Sequence, residues 1–118
     1  MIQSHKQLIV WQKSIELVVE IYKLTESFPK TEIYGLANQM RRAAISIPSN
    51  IAEGSARGHR QEYCQFVRIA FASATELETQ LLIAKKLGFS HAAKYEKIDL
   101  ILEEIMKMTN ALSRTLSK

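Results

Sequence analysis

The chain predicts an all-α protein, an antiparallel up-down-up-down four-helix bundle whose second helix is bent at a proline. Three observations predict it. Apolar residues recur every three or four positions in four long segments. Pro29, the stretch from Gly54 to Gly58, and Gly88 separate those segments. The connections are short, which favours antiparallel neighbours. No strand-like alternation, repeat or low-complexity tract competes, and the whole of residues 1–118 reads as one domain.

The first helix is expected from about Lys6 to Ser27, ending where Pro29 drives Phe28 out of the helical region. The second runs from about Thr31, a candidate N-cap, to the neighbourhood of Gly54. The third runs from about His59 to Leu87 and stops at Gly88, a natural left-handed C-terminal residue. The fourth begins near Ser90, a candidate N-cap, and continues to the end of the sequence. Its periodicity is the cleanest: Tyr95, Ile98, Leu102, Ile105, Thr109, Leu112 and Leu116 form one stripe, opposite Glu96, Glu103, Glu104, Lys107 and Arg114.

Helices one and three carry more apolar surface than one bundle face requires. In helix one, Leu8, Trp11, Ile15, Val18 and Tyr22 form the expected core stripe. Val10, Leu17, Ile21 and Leu24 form a second stripe far round the cylinder. In helix three the expected core stripe is Tyr63, Phe66, Ala70, Ala74, Leu77, Leu81 and Ala84; Ile69, Phe71, Leu82, Ile83 and Leu87 lie outside it. A broad core stripe with scattered surface leucines would account for this. The stronger reading is a second face packed against copies of the chain, with Val10, Leu17, Ile21, Leu24 and Phe71 as its candidates.

Pro48 falls within the second helical pattern. It has no N–H to offer the carbonyl of Ala44, and inside a helix it costs ~3 kcal/mol unless the chain adjusts. Ile33, Ala37, Met40, Ala44, Ile47 and Ile51 keep one apolar face on both sides of it, while Ser46 and Ser49 can bond freed backbone groups. The expectation is a helix that bends at Pro48 rather than ending there; the alternative is that Pro48 starts a loop.

Composition sets the remaining bounds. The 118 residues are 47% hydrophobic and 24% charged, an ordinary globular balance. The single cysteine, Cys64, cannot form an intrachain disulfide. No apolar run reaches the ~18–20 residues that span a bilayer, and no signal-peptide pattern opens the sequence, so a cytoplasmic location is expected. Most of the net charge of +4 is concentrated in residues 41–68, where Arg41, Arg42, Arg57, Arg60 and Arg68 face only Glu53 and Glu62.

The segments "WQKSIELVVEIYKLTESFP", "EIYGLANQMRRAAISIPSNIAEGSARG" and "FVRIAFASATELETQLLIAKKLG" together resemble the bacterial four-helix-bundle proteins of rRNA intervening sequences. The accessory variability proteins of diversity-generating retroelements resemble the same family. The likeness covers about residues 8–90, and "SIPSNIAEG", residues 46–54, is its most specific part. One departure is Ala72, where the family leads one to expect glycine. The resemblance implies a cytoplasmic homopentameric ring with a basic surface and a nucleic-acid-binding role. The number five comes from the family alone.

Patterns for catalysis are missing from the sequence. Carboxylate-bridged di-metal sites in bundles need Glu-x-x-His pairs, and Ala56 and Gly88 stand three residues before His59 and His91. No arginine precedes those histidines at the four-to-six spacing of one family of helical endoribonucleases. Cys64 has no histidine at a helical spacing and reads as a structural thiol. "EGSARG" lacks the lysine of a phosphate-binding loop. The expectation is therefore a non-enzyme with no cofactor, metal or small-molecule substrate.

The arginine set leaves two readings. Arg41, Arg42, Arg57, Arg60 and Arg68 can contact phosphates, giving salt-dependent affinity with little sequence discrimination. Alternatively they solubilise the surface or pair with carboxylates. Pro48, Asn50, Glu53 and Gly54 are candidates for internal or intersubunit contacts. The leading expectation is a non-enzymatic, homo-oligomeric four-helix bundle whose basic rim binds RNA or a ribonucleoprotein as an accessory or scaffold. The alternative is an oligomeric protein–protein adaptor that binds no nucleic acid.

Overall fold

Four helices form where the apolar periodicity places them: α1 (Ile9–Glu26), α2 (Leu36–Ala56), α3 (Arg60–Lys86) and α4 (Glu96–Leu116). The computed structural model describes residues 4–118, within an envelope of 46 × 24 × 20 Å. Each helix packs on its two neighbours: α1 on α2 and α4, and α3 on α2 and α4. Contacts across the ends fix the up-down-up-down order. Ser27, ending α1, bonds Ser90 before α4 at 2.9 Å, while Arg60, opening α3, reaches the Thr115 carbonyl near the end of α4. Among the described residues no helix is long and apolar enough to cross a membrane.

The expected ends need two corrections. Thr31 lies in a single 3-10 turn, Lys30–Glu32, and does not cap α2. The cap is Gly35, and the Glu32 carboxylate accepts from the Leu36 N–H at 3.2 Å. Ser90 does not cap α4 either; it has φ 65°, and a 3-10 turn, Ala92–Tyr95, leads into the helix. Gly88 does end α3 as expected, with φ +75°. The Phe89 N–H donates to the Ala84 carbonyl and the Gly88 N–H to that of Lys85, both at 3.0 Å, a Schellman closure. The Tyr95 hydroxyl donates to the Phe89 carbonyl and ties this turn to α4. Burial, followed by the Asp99 charge, raises the Tyr95 pKa and keeps that donor protonated.

Pro48 sits inside α2, buried, with helix on both sides. Ala37, Met40, Ala44, Ile47 and Ile51 line the core as the pattern requires, whereas Ile33 lies before the helix and is exposed. Ser46, rather than the exposed Ser49, takes part in side-chain bonding near the proline. The Asn50 amide donates to the Ser46 carbonyl at 2.7 Å and to its hydroxyl at 2.8 Å, and Ser46 Oγ meets Ser73 Oγ of α3 at 2.8 Å. Asn50 is thus held within its own chain. Glu53 likewise pairs with Arg57 one turn on, at 3.1 Å.

Gly54 marks the close approach of α2 to α3. A Cβ built there would stand 2.6 Å from Phe66 Cβ and 3.1 Å from Tyr63 Cδ1. On the α3 side, Ala70, Ala74, Leu77, Leu81 and Ala84 are buried as expected, while Tyr63 and Phe66 are half-buried flanks of the stripe. Phe71 is half-buried as well. The α4 stripe is buried from Tyr95 to Thr109.

In α1 the two stripes exchange roles. Val10, Leu17, Ile21 and Leu24, expected on a face between subunits, are the core; Leu17 and Ile21 are wholly buried. Of the stripe expected in the core, Leu8, Trp11 and Val18 are half-buried, while Ile15 and Tyr22 are exposed. Ser14 and Thr25 lie within the true core stripe and disguise it. Both satisfy themselves locally, Ser14 Oγ donating to the Trp11 carbonyl at 2.7 Å and Thr25 Oγ1 to that of Ile21 at 2.8 Å. A hydroxyl bonded in this way can be buried without leaving an unpaired donor.

Candidate nucleic-acid interface

The five arginines fall into separate environments. Arg41 and Arg42 lie in the second turn of α2, and Arg57 follows its last residue, about 23 Å farther along at 1.5 Å per residue. Arg41 is committed to the fold: its Nε donates to Thr25 Oγ1 at 2.8 Å, and its guanidinium lies 4.5 Å from the centre of the Tyr22 ring. Arg42 is exposed at the rim of a cleft between α2 and α3.

Arg57, Arg60 and Arg68 gather towards the opposite end. The Arg57 guanidinium pairs with Glu53 and lies 4.9 Å from the Phe66 ring centre. Arg60 donates to the Thr115 carbonyl at 2.6 Å, which fixes its guanidinium over the junction of α3 and α4. Arg60 and Arg68 line a cleft of about 540 Å³ together with Lys118, Gln61, Gln65 and Cys64. Three cationic side chains and, among the described residues, no Asp or Glu line it. Cys64 Sγ donates to the Ser113 carbonyl at 3.4 Å at the back of this cleft, which gives the thiol a packing role.

The cleft between α2 and α3 has a different character. Tyr34, Asn38, Gln39, Arg42, Ser46, Ser73, Glu76 and Gln80 line a volume of about 400 Å³. Tyr34 precedes α2 and is 93% exposed. Gln80 is buried on α3, and its Oε1 has no hydrogen-bond partner. Among the described residues no group of three histidine, cysteine or acidic side chains is placed to hold a metal ion.

The profile of the 23S rRNA-intervening sequence protein family matches residues 6–111, nearly the whole bundle. The chain belongs to that family. Its fold is also similar to a crystal structure of a protein of unknown function from the S23 ribosomal protein family of Bacteroides thetaiotaomicron. The TM-score is 0.79 at 26% identity, over 89% of this chain and 98% of the other. No curated protein matches the chain. For an intervening-sequence family protein, the arrangement offers two surfaces of different chemistry: a cation-lined cleft at one end and a cleft rich in amides and hydroxyls nearer the other.

Sequence reasoning missed Lys118, Tyr34 and Gln80. Lys118 joins Arg60 only because α4 returns to the start of α3, a pairing across more than fifty residues. Tyr34 carried a usable signal, an aromatic in a non-periodic connection just before Gly35. Gln80 carried none, since a glutamine within the core stripe looks like an ordinary helix residue until its neighbours are known.

Proposed function

We propose that this intervening-sequence family protein is a non-enzymatic accessory that binds RNA through phosphate contacts at the α3–α4 end. The observation that carries the reading is the cleft lined by the side chains of Arg60, Arg68 and Lys118, with no Asp or Glu among the described residues that line it. Arginine forks suit phosphate oxygens, and the Arg60 bond to the Thr115 carbonyl holds one fork in place before any ligand arrives. Fluorescence anisotropy with a structured RNA tests it. Affinity is expected to fall steeply as salt rises from ~50 to ~200 mM. The double variant Arg60→Ala/Arg68→Ala should bind at least about tenfold more weakly across unrelated sequences, with a salt slope shallower by about 0.7–0.9 per lost contact. Binding that ignores salt, or an unchanged double variant, overturns the phosphate cleft.

The same reading includes self-association. Ile15, Val19 and Tyr22 are exposed along α1, beside half-buried Trp11 and Val18, and this apolar strip supports packing against another copy. The family resemblance supplies five as the expected number. Light scattering at micromolar concentration should give a multiple of 13.5 kDa, and Ile15→Asp should lower it towards the single-chain mass. A wild-type protein that scatters as one chain removes the oligomer.

A further inference from the structure

We propose that the basic cleft at the α3–α4 end takes double-stranded RNA and reads its ribose 2′-hydroxyls with Gln61 and Gln65, an inference that rests on the RNA-binding reading above. Phosphate contacts by themselves carry little information about which nucleic acid is bound. The two glutamines add that information. Both are exposed, and both line the cleft together with Arg60, Arg68 and Lys118. They stand one turn apart near the start of α3, and Arg68 follows Gln61 by two turns, so all three share one face of the helix.

The chemistry of this face matches a ribose edge flanked by phosphates. A glutamine amide both donates and accepts hydrogen bonds, and so does a 2′-hydroxyl. The A-form double helix displays those hydroxyls in a wide, shallow minor groove with a phosphate backbone on each side. The cleft has the same order: Arg60 and Arg68 lie about 12 Å apart along the α3 axis, with the glutamines between them in the chain. The Arg60 bond to the Thr115 carbonyl fixes one cation before binding, which suits a duplex, whose phosphates are regularly spaced. Unpaired strands are held instead by stacking bases on aromatic rings. Among the described residues that line this cleft none is aromatic, and the exposed Tyr34 ring borders the α2–α3 cleft instead.

Fluorescence anisotropy tests this with probes of one sequence and roughly 16 base pairs, a length that offers successive grooves. The probes are duplex RNA, the same duplex with 2′-O-methyl riboses, duplex DNA and one unpaired RNA strand. The wild-type chain is expected to bind duplex RNA about tenfold more tightly than the methylated or DNA duplex, the loss of two hydrogen bonds, and more tightly than the single strand. The methylated duplex keeps the A-form and blocks the hydroxyl donors, so it separates hydroxyl contacts from groove shape. Gln61→Ala/Gln65→Ala should bind both RNA duplexes equally, at the weaker level, while keeping the wild-type affinity for DNA and the wild-type salt slope. Equal wild-type affinity for all three duplexes, with salt dependence preserved, overturns the hydroxyl contacts and leaves the phosphate cleft standing. A single strand that binds as tightly as duplex RNA overturns the choice of double-stranded RNA. A double variant that still discriminates against methylation overturns the role of the two glutamines. Loss of salt-dependent binding to every probe overturns both this inference and the phosphate cleft.

Discussion

Ile21→Ala is expected to destabilise the protein by about 2–5 kcal/mol, whereas Ile15→Ala, six residues earlier on the same helix, should change the stability of the single chain by less than about 1 kcal/mol. Ile21 is wholly buried, so truncation removes its transfer free energy and leaves a cavity that neighbouring helices fill only in part. Ile15 is 40% exposed and leaves little behind. Urea denaturation at equal m-value separates the two as a difference in midpoint. Equal losses would mean that α1 turns a different face to the core. The pair also separates folding from assembly, because Ile15→Asp acts on association while Ile21→Ala acts on the fold.

Gly54→Val is expected to cost about 3 kcal/mol or more, and Gly54→Ala about 1–2 kcal/mol after the better helix propensity of alanine is credited. The obstacle is Phe66 Cβ, 2.6 Å from where a new Cβ would sit. That atom is fixed to the α3 backbone and cannot rotate aside, so α2 and α3 must separate at this close approach. Thermal melts of the two variants check the order. A Gly54→Ala chain that melts above wild type would show that the approach is slack.

Single-faced elements were legible in the sequence, and two-faced ones were not. In α4 one apolar stripe opposes one charged stripe, so periodicity alone orients the helix. In α1 two stripes of similar apolarity compete, and the correct one contains Ser14 and Thr25. A residue scale counts those hydroxyls against burial, although both bond their own helix. Helix ends were legible where backbone geometry demands one residue type, as at Gly88, and illegible where a distant or flanking side chain substitutes, as Glu32 does for Thr31. The arginines were legible as a charge excess but not as places. Arg41 is absorbed by Thr25 and Tyr22, whereas Arg60 is held at its cleft by a carbonyl 55 positions away. Neighbours supplied by the fold decide which cations stay available.

The bonded chain from Asn50 through Ser46 to Ser73 restricts how this bundle can move. It is a polar link on the cleft side of the α2–α3 contact, with Ser46 and Asn50 flanking Pro48 in the chain. Sliding α2 along α3 by one helical turn, about 5.4 Å, would part the two serines and break their hydrogen bond. Apolar ridges alone would permit such a ratchet at modest cost. With the link in place, the bond between the two serines favours a single register of α2 on α3.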